Sequence, residues 1–206
     1  MAKVKKLVAL IDYRYGNTKS VYDALKELKI KTKLCKKSND FKNCTHIILP
    51  GVGSFDKCIN DLKKKKLFDE LKKQITIKKK KYLGICVGFQ ILCTDGVENK
   101  ITSGLNLIDG RCEKFPKKSI TPHIGWNSVN FNRKMKLFKN IKQNSYFYFL
   151  HSYCISKTKT KLYKSKTHYF KNFISTIEKD NLFGVQFHPE KSQENGLKLI
   201  KNFVNL

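Results

Sequence analysis

Apolar residues fall in short unbroken runs separated by stretches of helical period. Lys6 to Tyr13 (KLVALIDY) reads as a buried first strand. Asn17 opens an amphipathic helix through Leu28, with Val21, Leu25 and Leu28 on one face. Lys31 to Cys35 and His46 to Leu49 are the next strands, and a Gly-rich turn follows the latter. Ser54 is placed to cap a helix carrying Phe55, Ile59 and Leu62, and Leu67 to Ile77 gives another, with Phe68, Leu71 and Ile75 inward. A strand then starts at Tyr82. Such alternation predicts an α/β fold with a mostly parallel, doubly wound sheet, whose strands carry the functional loops at their carboxyl ends. Those ends hold Asp12-Tyr13, Pro50 to Gly53, and Cys86.

After Thr94-Asp95-Gly96 the period changes. Leu105 to Phe115, Ser128 to Phe131 and Tyr146 to Leu150 read as short strands with little helix between them, and Ile155 to Ile177 continues in that style. A mixed or antiparallel part of the sheet is expected there. Phe183 to Phe187 is a last strand and Gly196 to Leu206 a closing helix. No repeat or low-complexity linker divides the chain, so a single domain over 1–206 is expected.

Candidate chemistry centres on Tyr82-Leu83-Gly84-Ile85-Cys86-Val87-Gly88-Phe89-Gln90-Ile91-Leu92. A strand turns sharply at Cys86 into a helix, with glycines two residues to either side. Gly-x-Cys-x-Gly is the cysteine form of a nucleophile elbow. The free N–H groups at the start of the helix favour a thiolate and an oxyanion beside it. The plainer reading is a buried strand cysteine between two packing glycines. Leu182 to Ser192 (LFGVQFHPEKS) supplies what a nucleophile needs. A strand ends on His188, a base, and Glu190 follows two residues later as its orienting acceptor. The turn in Ile47 to Phe55 (IILPGVGSF) can present backbone N–H groups to an anion.

Composition changes little in this picture. The chain has 206 residues, 40% of them hydrophobic, enough for a sizeable core. No apolar run approaches the length of a membrane span, and Met-Ala-Lys-Val-Lys-Lys does not read as a signal peptide, so a cytoplasmic location is expected. Seven cysteines, an odd number without Cys-x-x-Cys pairing, read as free thiols, and no zinc pattern appears. The formal charge of +27 points toward nucleic acid at first sight. The lysines are dispersed, however, and arginine is scarce, so solvated faces and helix ends account for them.

Together the three stretches resemble the class I (triad) glutamine amidotransferases, and within them the glutaminase subunit of imidazole glycerol phosphate synthase. The resemblance runs through essentially the whole chain. It includes Asp12-Tyr13 with Gly16-Asn17, Pro122-His123-Ile124-Gly125-Trp126-Asn127, and Tyr148-Phe149-Leu150-His151-Ser152-Tyr153. It implies that Cys86 is the nucleophile, His188 the base and Glu190 the orienter. It places the oxyanion donors at the N–H groups of Val87 and Val52, the latter after a peptide flip that Gly51 and Gly53 make easy. Gln90, Gly51, Gly53 and the segment His151, Ser152, Tyr153 would bind glutamine. Asn17, His123 and Trp126 would lie at the surface that docks a (β/α)8-barrel cyclase, forming a heterodimer. Trp126 reads equally as a core residue when taken alone. No cofactor or metal, no nucleic acid and no membrane are implied.

Arg14 stands where the family's first loop often has glycine, Phe89 replaces the commoner methionine, and the loop after the elbow helix is short. Arg14 leaves two partners open: the histidine-pathway cyclase, or a sugar-aminating synthase for surface glycans served by a paralogue. A basic nucleic-acid-binding protein would instead cluster arginines and exposed aromatics on one face. A cysteine peptidase on the same fold would lack the Pro-Gly-Val-Gly turn and Gln90.

Overall fold

The computed structural model describes residues 6–13 and 17–206. Arg14 and Gly16, named above, lie outside them. The first half runs β1 (Val8–Ile11), α1 (Thr18–Glu27), β2 (Thr32–Cys35), β3 (His46–Leu49), α2 (Phe55–Lys64), α3 (Phe68–Thr76), β4 (Lys81–Ile85) and α4 (Val87–Gln90). The second half runs β5 (Asp95–Gly96), β6 (Thr102–Ser103), β7 (Gly110–Lys114), β8 (His123–Ser128), β9 (Tyr146–His151) and β10 (Tyr153–Thr158). It ends with β11 (Tyr163–Tyr169), β12 (Lys171–Lys179), β13 (Leu182–Val185) and α5 (Gln193–Asn205).

Among the described residues the main sheet has seven strands in the order β11-β12-β13-β4-β3-β1-β2. From β13 to β2 every pairing is parallel. The sequence dictates this: Val8–Ile11 and His46–Leu49 are buried at all four positions, as strands covered on both faces must be. Successive side chains then serve opposite sides. Ala9, Ile11, Ile47 and Leu49 pack under α2 and α3 with Ile59, Leu62, Leu71 and Ile75. Val8, Leu10, Ile48 and Leu83 pack under α1 and α5 with Val21, Leu25, Leu199 and Phe203.

The strand-rich second half is only partly an extension of that sheet. β11 and β12 form an antiparallel hairpin added to β13. The other strands leave it, forming a four-stranded sheet β10-β7-β5-β6 and a two-stranded ribbon β8-β9. The strand expected over Ser128 to Phe131 lies earlier, because β8 pairs with β9 from His123↔His151 to Ser128↔Tyr146.

Two local expectations are corrected. The helix after Cys86 is a single turn, not a run through Leu92. The carbonyls of Ile91, Leu92 and Cys93 are taken by the N–H groups of Leu105 (2.7 Å), Leu107 (2.8 Å) and Asn106 (3.0 Å), so no further helical turn can use them. Ser54 stands at the N-cap of α2, yet its hydroxyl caps nothing. The Glu98 carboxylate accepts the Phe55 N–H at 2.9 Å instead. No helix among the described residues is long and apolar enough to cross a membrane.

Because β1, β3, β4 and β13 run in parallel, their carboxyl ends share one edge. Asp12, the Pro50 to Gly53 turn, Cys86 and the segment Gln186 to Glu190 leave the sheet there.

Candidate active site

Cys86 is the first residue beyond β4, and its backbone is at φ 52 and ψ −110. A β-carbon-bearing residue rarely takes that conformation, and such strain is characteristic of a nucleophile elbow. Its N–H donates to Val185 O at 2.8 Å, and its carbonyl accepts the N–H groups of Phe89 and Gln90, both at 3.0 Å. Gly88 lets the turn close on β3, since a β-carbon there would stand 2.2 Å from Leu49 O. The Tyr82 hydroxyl holds the same turn by donating to Gly88 O at 2.7 Å. With one turn only, the elbow offers free N–H groups rather than a long helix dipole.

Cys86 Sγ donates to Leu150 O at 3.7 Å, so its thiol is directed at the strand that precedes His151. His188 is 1% exposed, and its N–H is anchored on Tyr148 O at 2.8 Å. Its Nδ1 lies 2.8 Å from Glu190 Oε1, and a carboxylate only accepts, so Nδ1 carries a proton and Nε2 is the nitrogen left to take one up. Asn17 Nδ2 donates to the same Glu190 oxygen at 3.0 Å. Burial opposes a charged imidazole, but the Cys86 sulfur and the Glu190 carboxylate outweigh it and raise the pKa of His188 above its ordinary value. Among the described residues Nε2 makes no full hydrogen bond, and Cys86 is the group it interacts with.

A cavity of about 280 Å³ opens beside Cys86. It is lined by Val52, Gly53, Gln90, His151, Ser152 and Tyr153, all singled out in the sequence, and by Ser54, Glu98, Pro122 and Leu150. Gly51 and Val87 are buried just behind this wall and pack on each other. A larger cavity of about 540 Å³ at the opposite end of β13 is ringed by Lys134, Lys136, Lys161 and Lys179 and contains no candidate nucleophile.

Among the described residues His151 has both ring nitrogens engaged and no carboxylate partner. Its Nδ1 donates to Tyr153 O at 2.8 Å, its Nε2 faces His123 Nδ1 at 3.2 Å, and burial pushes its pKa down to about 3. His123 departs from its expected place at a docking surface. It is 3% exposed, stacked on Tyr169 at 3.9 Å and on Phe149 at 4.9 Å, and burial lowers it to about 4. It faces inward because alternation along β8 turns His123 and Trp126 to different sides. Trp126 is 46% exposed and meets Tyr148 edge-on at 6.2 Å. Asn17 is half-buried, between surface and site. His46 is buried against Phe203 and His168 is exposed.

Two groups at the site, Glu98 and Gln186, carried no signal in the sequence, and for Asn17, expected at the docking surface, the sequence did not show its contact with Glu190. Glu98 sits in a polar Asn- and Lys-rich turn, yet it is an acid lining the cavity, with its pKa raised by burial. Gln186 is completely buried and donates from Nε2 to Cys86 Sγ at 3.6 Å. Asn17 reaches Glu190 across 173 residues of sequence. All seven cysteines are free and buried, and burial raises Cys93 well out of the reactive range. Among the described residues no group of three or more His, Cys, Asp or Glu could hold a metal ion.

Fold, elbow and buried histidine–carboxylate pair define a class: the chain belongs to the class I glutamine amidotransferases, and the glutamine amidotransferase class-I pattern matches residues 9–206. It is similar to the imidazole glycerol phosphate synthase subunit HisH 1 of Campylobacter jejuni (strain RM1221), 38% identical, covering 97% of this chain and 100% of that one. HisH of Leptospira interrogans is 40% identical over the same shares. HisH of Methanocaldococcus jannaschii is 42% identical, again covering 97% and 100%. Among solved structures, a crystal structure of a glutamine amidotransferase superposes with a TM-score of 0.76 at 16% identity, over 96% of this chain and 97% of that one. A chain of the PurLQS structure from Thermotoga maritima gives 0.75 at 20% identity, over 98% of both. At those identities the structures speak for the fold alone.

Proposed function

We propose that this chain, one domain over 1–206, is the cytoplasmic glutaminase subunit of an imidazole glycerol phosphate synthase, and that Cys86, His188 and Glu190 are its catalytic triad. The observation that carries this reading is the buried His188–Glu190 pair, 2.8 Å apart, set against the Cys86 elbow. His188 Nε2 takes the thiol proton, and the thiolate attacks the side-chain amide carbon of glutamine. The carbonyl oxygen becomes an oxyanion held by the N–H groups of Val87 and Val52. The imidazolium gives its proton to the departing nitrogen, ammonia leaves, and a thioester remains on Cys86. Water, deprotonated by His188, attacks the thioester. Glutamate leaves and the proton returns to sulfur.

The cavity chemistry suits an amino acid. Glu98 supplies a carboxylate for the α-ammonium. Gln90 and the polypeptide from His151 to Tyr153 supply hydrogen bonds, and Gly51 and Gly53 give the Val52 peptide room to turn. Ammonia then passes to a (β/α)8-barrel cyclase that makes imidazole glycerol phosphate and AICAR in histidine biosynthesis. Asn17 and Trp126 are the docking contacts, since Trp126 is an exposed aromatic anchor near the site and Asn17 touches Glu190.

The test is a steady-state glutaminase assay of the free chain, then with the cyclase and its ligand. Slow hydrolysis alone and an acceleration of about two to three decades with partner is expected, each decade needing about 1.4 kcal/mol of preference for the competent state. Full activity of the free chain, unchanged by partner, overturns the coupling. Acceleration only by the barrel of a sugar-aminating synthase reassigns the pathway.

A further inference from the structure

Tyr153 O is a backbone carbonyl, so it can only accept hydrogen bonds. It accepts two, from His151 Nδ1 at 2.8 Å and from Gln90 at 2.9 Å. The Gln90 atom facing it must therefore be the amide nitrogen. That nitrogen also lies 3.1 Å from a side-chain atom of Gln186, which must then be the Gln186 oxygen. With its oxygen turned to Gln90, Gln186 has only its NH2 group to offer on the other side, and that group meets Cys86 Sγ at 3.6 Å. A fixed carbonyl thus sets the polarity of two amides in series: flipping Gln90 would place oxygen against the Tyr153 oxygen, and flipping Gln186 would place its NH2 against that of Gln90.

Gln186 comes to this place through the sheet. The Cys86 N–H donates to Val185 O, and Val185 pairs with Ile85, so Gln186 leaves β13 beside the elbow. Two residues on, His188 emerges at the same edge. The Gln186 side chain is wholly excluded from solvent, where a donor aimed at sulfur gains strength and water cannot replace it.

We infer that Gln186 is a further catalytic residue: its amide N–H donates to the Cys86 sulfur, favours the thiolate over the thiol, and orients Gln90 so that its Oε1 is the atom left for the bound substrate. This rests on the reading of Cys86 as nucleophile but does not depend on the substrate. As the proton moves from Sγ to His188 Nε2, the sulfur gains charge, and a hydrogen bond to a charged acceptor strengthens. Among the described residues no donor is bonded to Gln90 Oε1.

The experiment reads thiolate formation directly. The rate of Cys86 alkylation by iodoacetamide is followed against pH, with the modified peptide mapped, in wild type, Gln186→Met and Gln186→Glu. Methionine keeps length and volume and removes the donor. Glutamate keeps the shape and sets an acceptor-only charge against the sulfur. The expected result is a midpoint shifted to higher pH by about one unit in Gln186→Met and further in Gln186→Glu, with kcat for glutamine falling about ten- to a hundredfold in the former. A merely structural Gln186 lowers the melting temperature but leaves the midpoint where it was, and that result overturns the proposal. Should both variants fail to fold, the 15N-labelled side-chain amide of Gln186 in the wild-type chain decides: its signal shifts with the Cys86 titration if the bond exists, and stays fixed if it does not. Alkylation needs no glutaminase activity, so a shifted midpoint in a chain inactive on glutamine faults the substrate assignment and leaves the role of Gln186 standing.

Discussion

Asn17 Nδ2 and His188 Nδ1 donate to one and the same oxygen of Glu190, at 3.0 and 2.8 Å. Asn17 sits just ahead of α1, at the end of the first βα loop. Glu190 lies in the turn before α5. The carboxylate that orients the base is thus itself held from the opposite end of the sequence, at a position half-open to solvent. A partner that contacts Asn17 would reach the base through one intervening carboxylate.

Asn17→Ala removes one of the two donors to a buried carboxylate. Such a bond contributes about 1.5–3 kcal/mol. The expected outcome in the free chain is a drop in kcat of roughly tenfold with KM little changed. Asn17→Asp, which sets a second carboxylate against Glu190, costs more. Steady-state kinetics of the three proteins checks this.

His188→Asn loses the proton carrier and lowers kcat by about 10⁵-fold, whereas Glu190→Gln keeps a hydrogen-bonding side chain at the orienting position and loses roughly one to two decades less. Equal losses, or the larger loss in a His151 variant, would exchange the roles.

Gly51→Ala tests the wall of the oxyanion site. A β-carbon at Gly51 would stand 2.1 Å from Val87 Cγ1 and 2.9 Å from Gly88 N. The turn must retreat from the elbow, at about 1–3 kcal/mol of overpacking. The expected outcome is a modest fall in melting temperature with a much larger fall in kcat, because the proposed turn of the Val52 peptide toward the Val87 N–H is then obstructed.

Much of this was legible in the sequence, and the reasons it stops are local. The parallel half was readable because its strands are unbroken apolar runs and its helices keep a clean period. The Cys86 elbow and the His188–Glu190 pair were readable because their spacing is short. The second half was not, since strands such as β7 and β11 expose most of their residues and lysines blur the alternation. Which sheet each strand joins is decided by pairings far apart in sequence. The elbow helix looked longer than one turn because nothing local shows that the 105–107 segment takes its last carbonyls. Gln186 stands two residues from His188, yet only the parallel register beside β4 shows that it touches sulfur. His123 looked like a docking residue because it shares a short stretch with Trp126, which is exposed where His123 is buried.

Acid should weaken the fold through three buried histidines. Burial lowers His46 and His123 to about 4 and His151 to about 3, against the ordinary 6.5. The unfolded chain therefore binds more protons than the folded one below about pH 6.5, so stability falls as pH falls from 6.5 toward 4. Each histidine costs about 2 kcal/mol at pH 5 relative to pH 7. Urea unfolding at the two pH values measures the difference, and His46→Gln, which keeps a hydrogen-bonding side chain there, should reduce it.

The nucleophile is the centre of this account, and a glutamine-analogue electrophile tests it most directly. The reagent is incubated with the chain and its cyclase partner while glutamine hydrolysis is followed and the adduct is mapped by mass spectrometry. The expected result is one adduct, on Cys86, forming in step with the loss of activity, and a Cys86→Ala protein that folds normally but hydrolyses glutamine at least about 10⁴-fold more slowly. An adduct on Cys93 or on any other cysteine, or a Cys86→Ala protein that still hydrolyses glutamine, would contradict it.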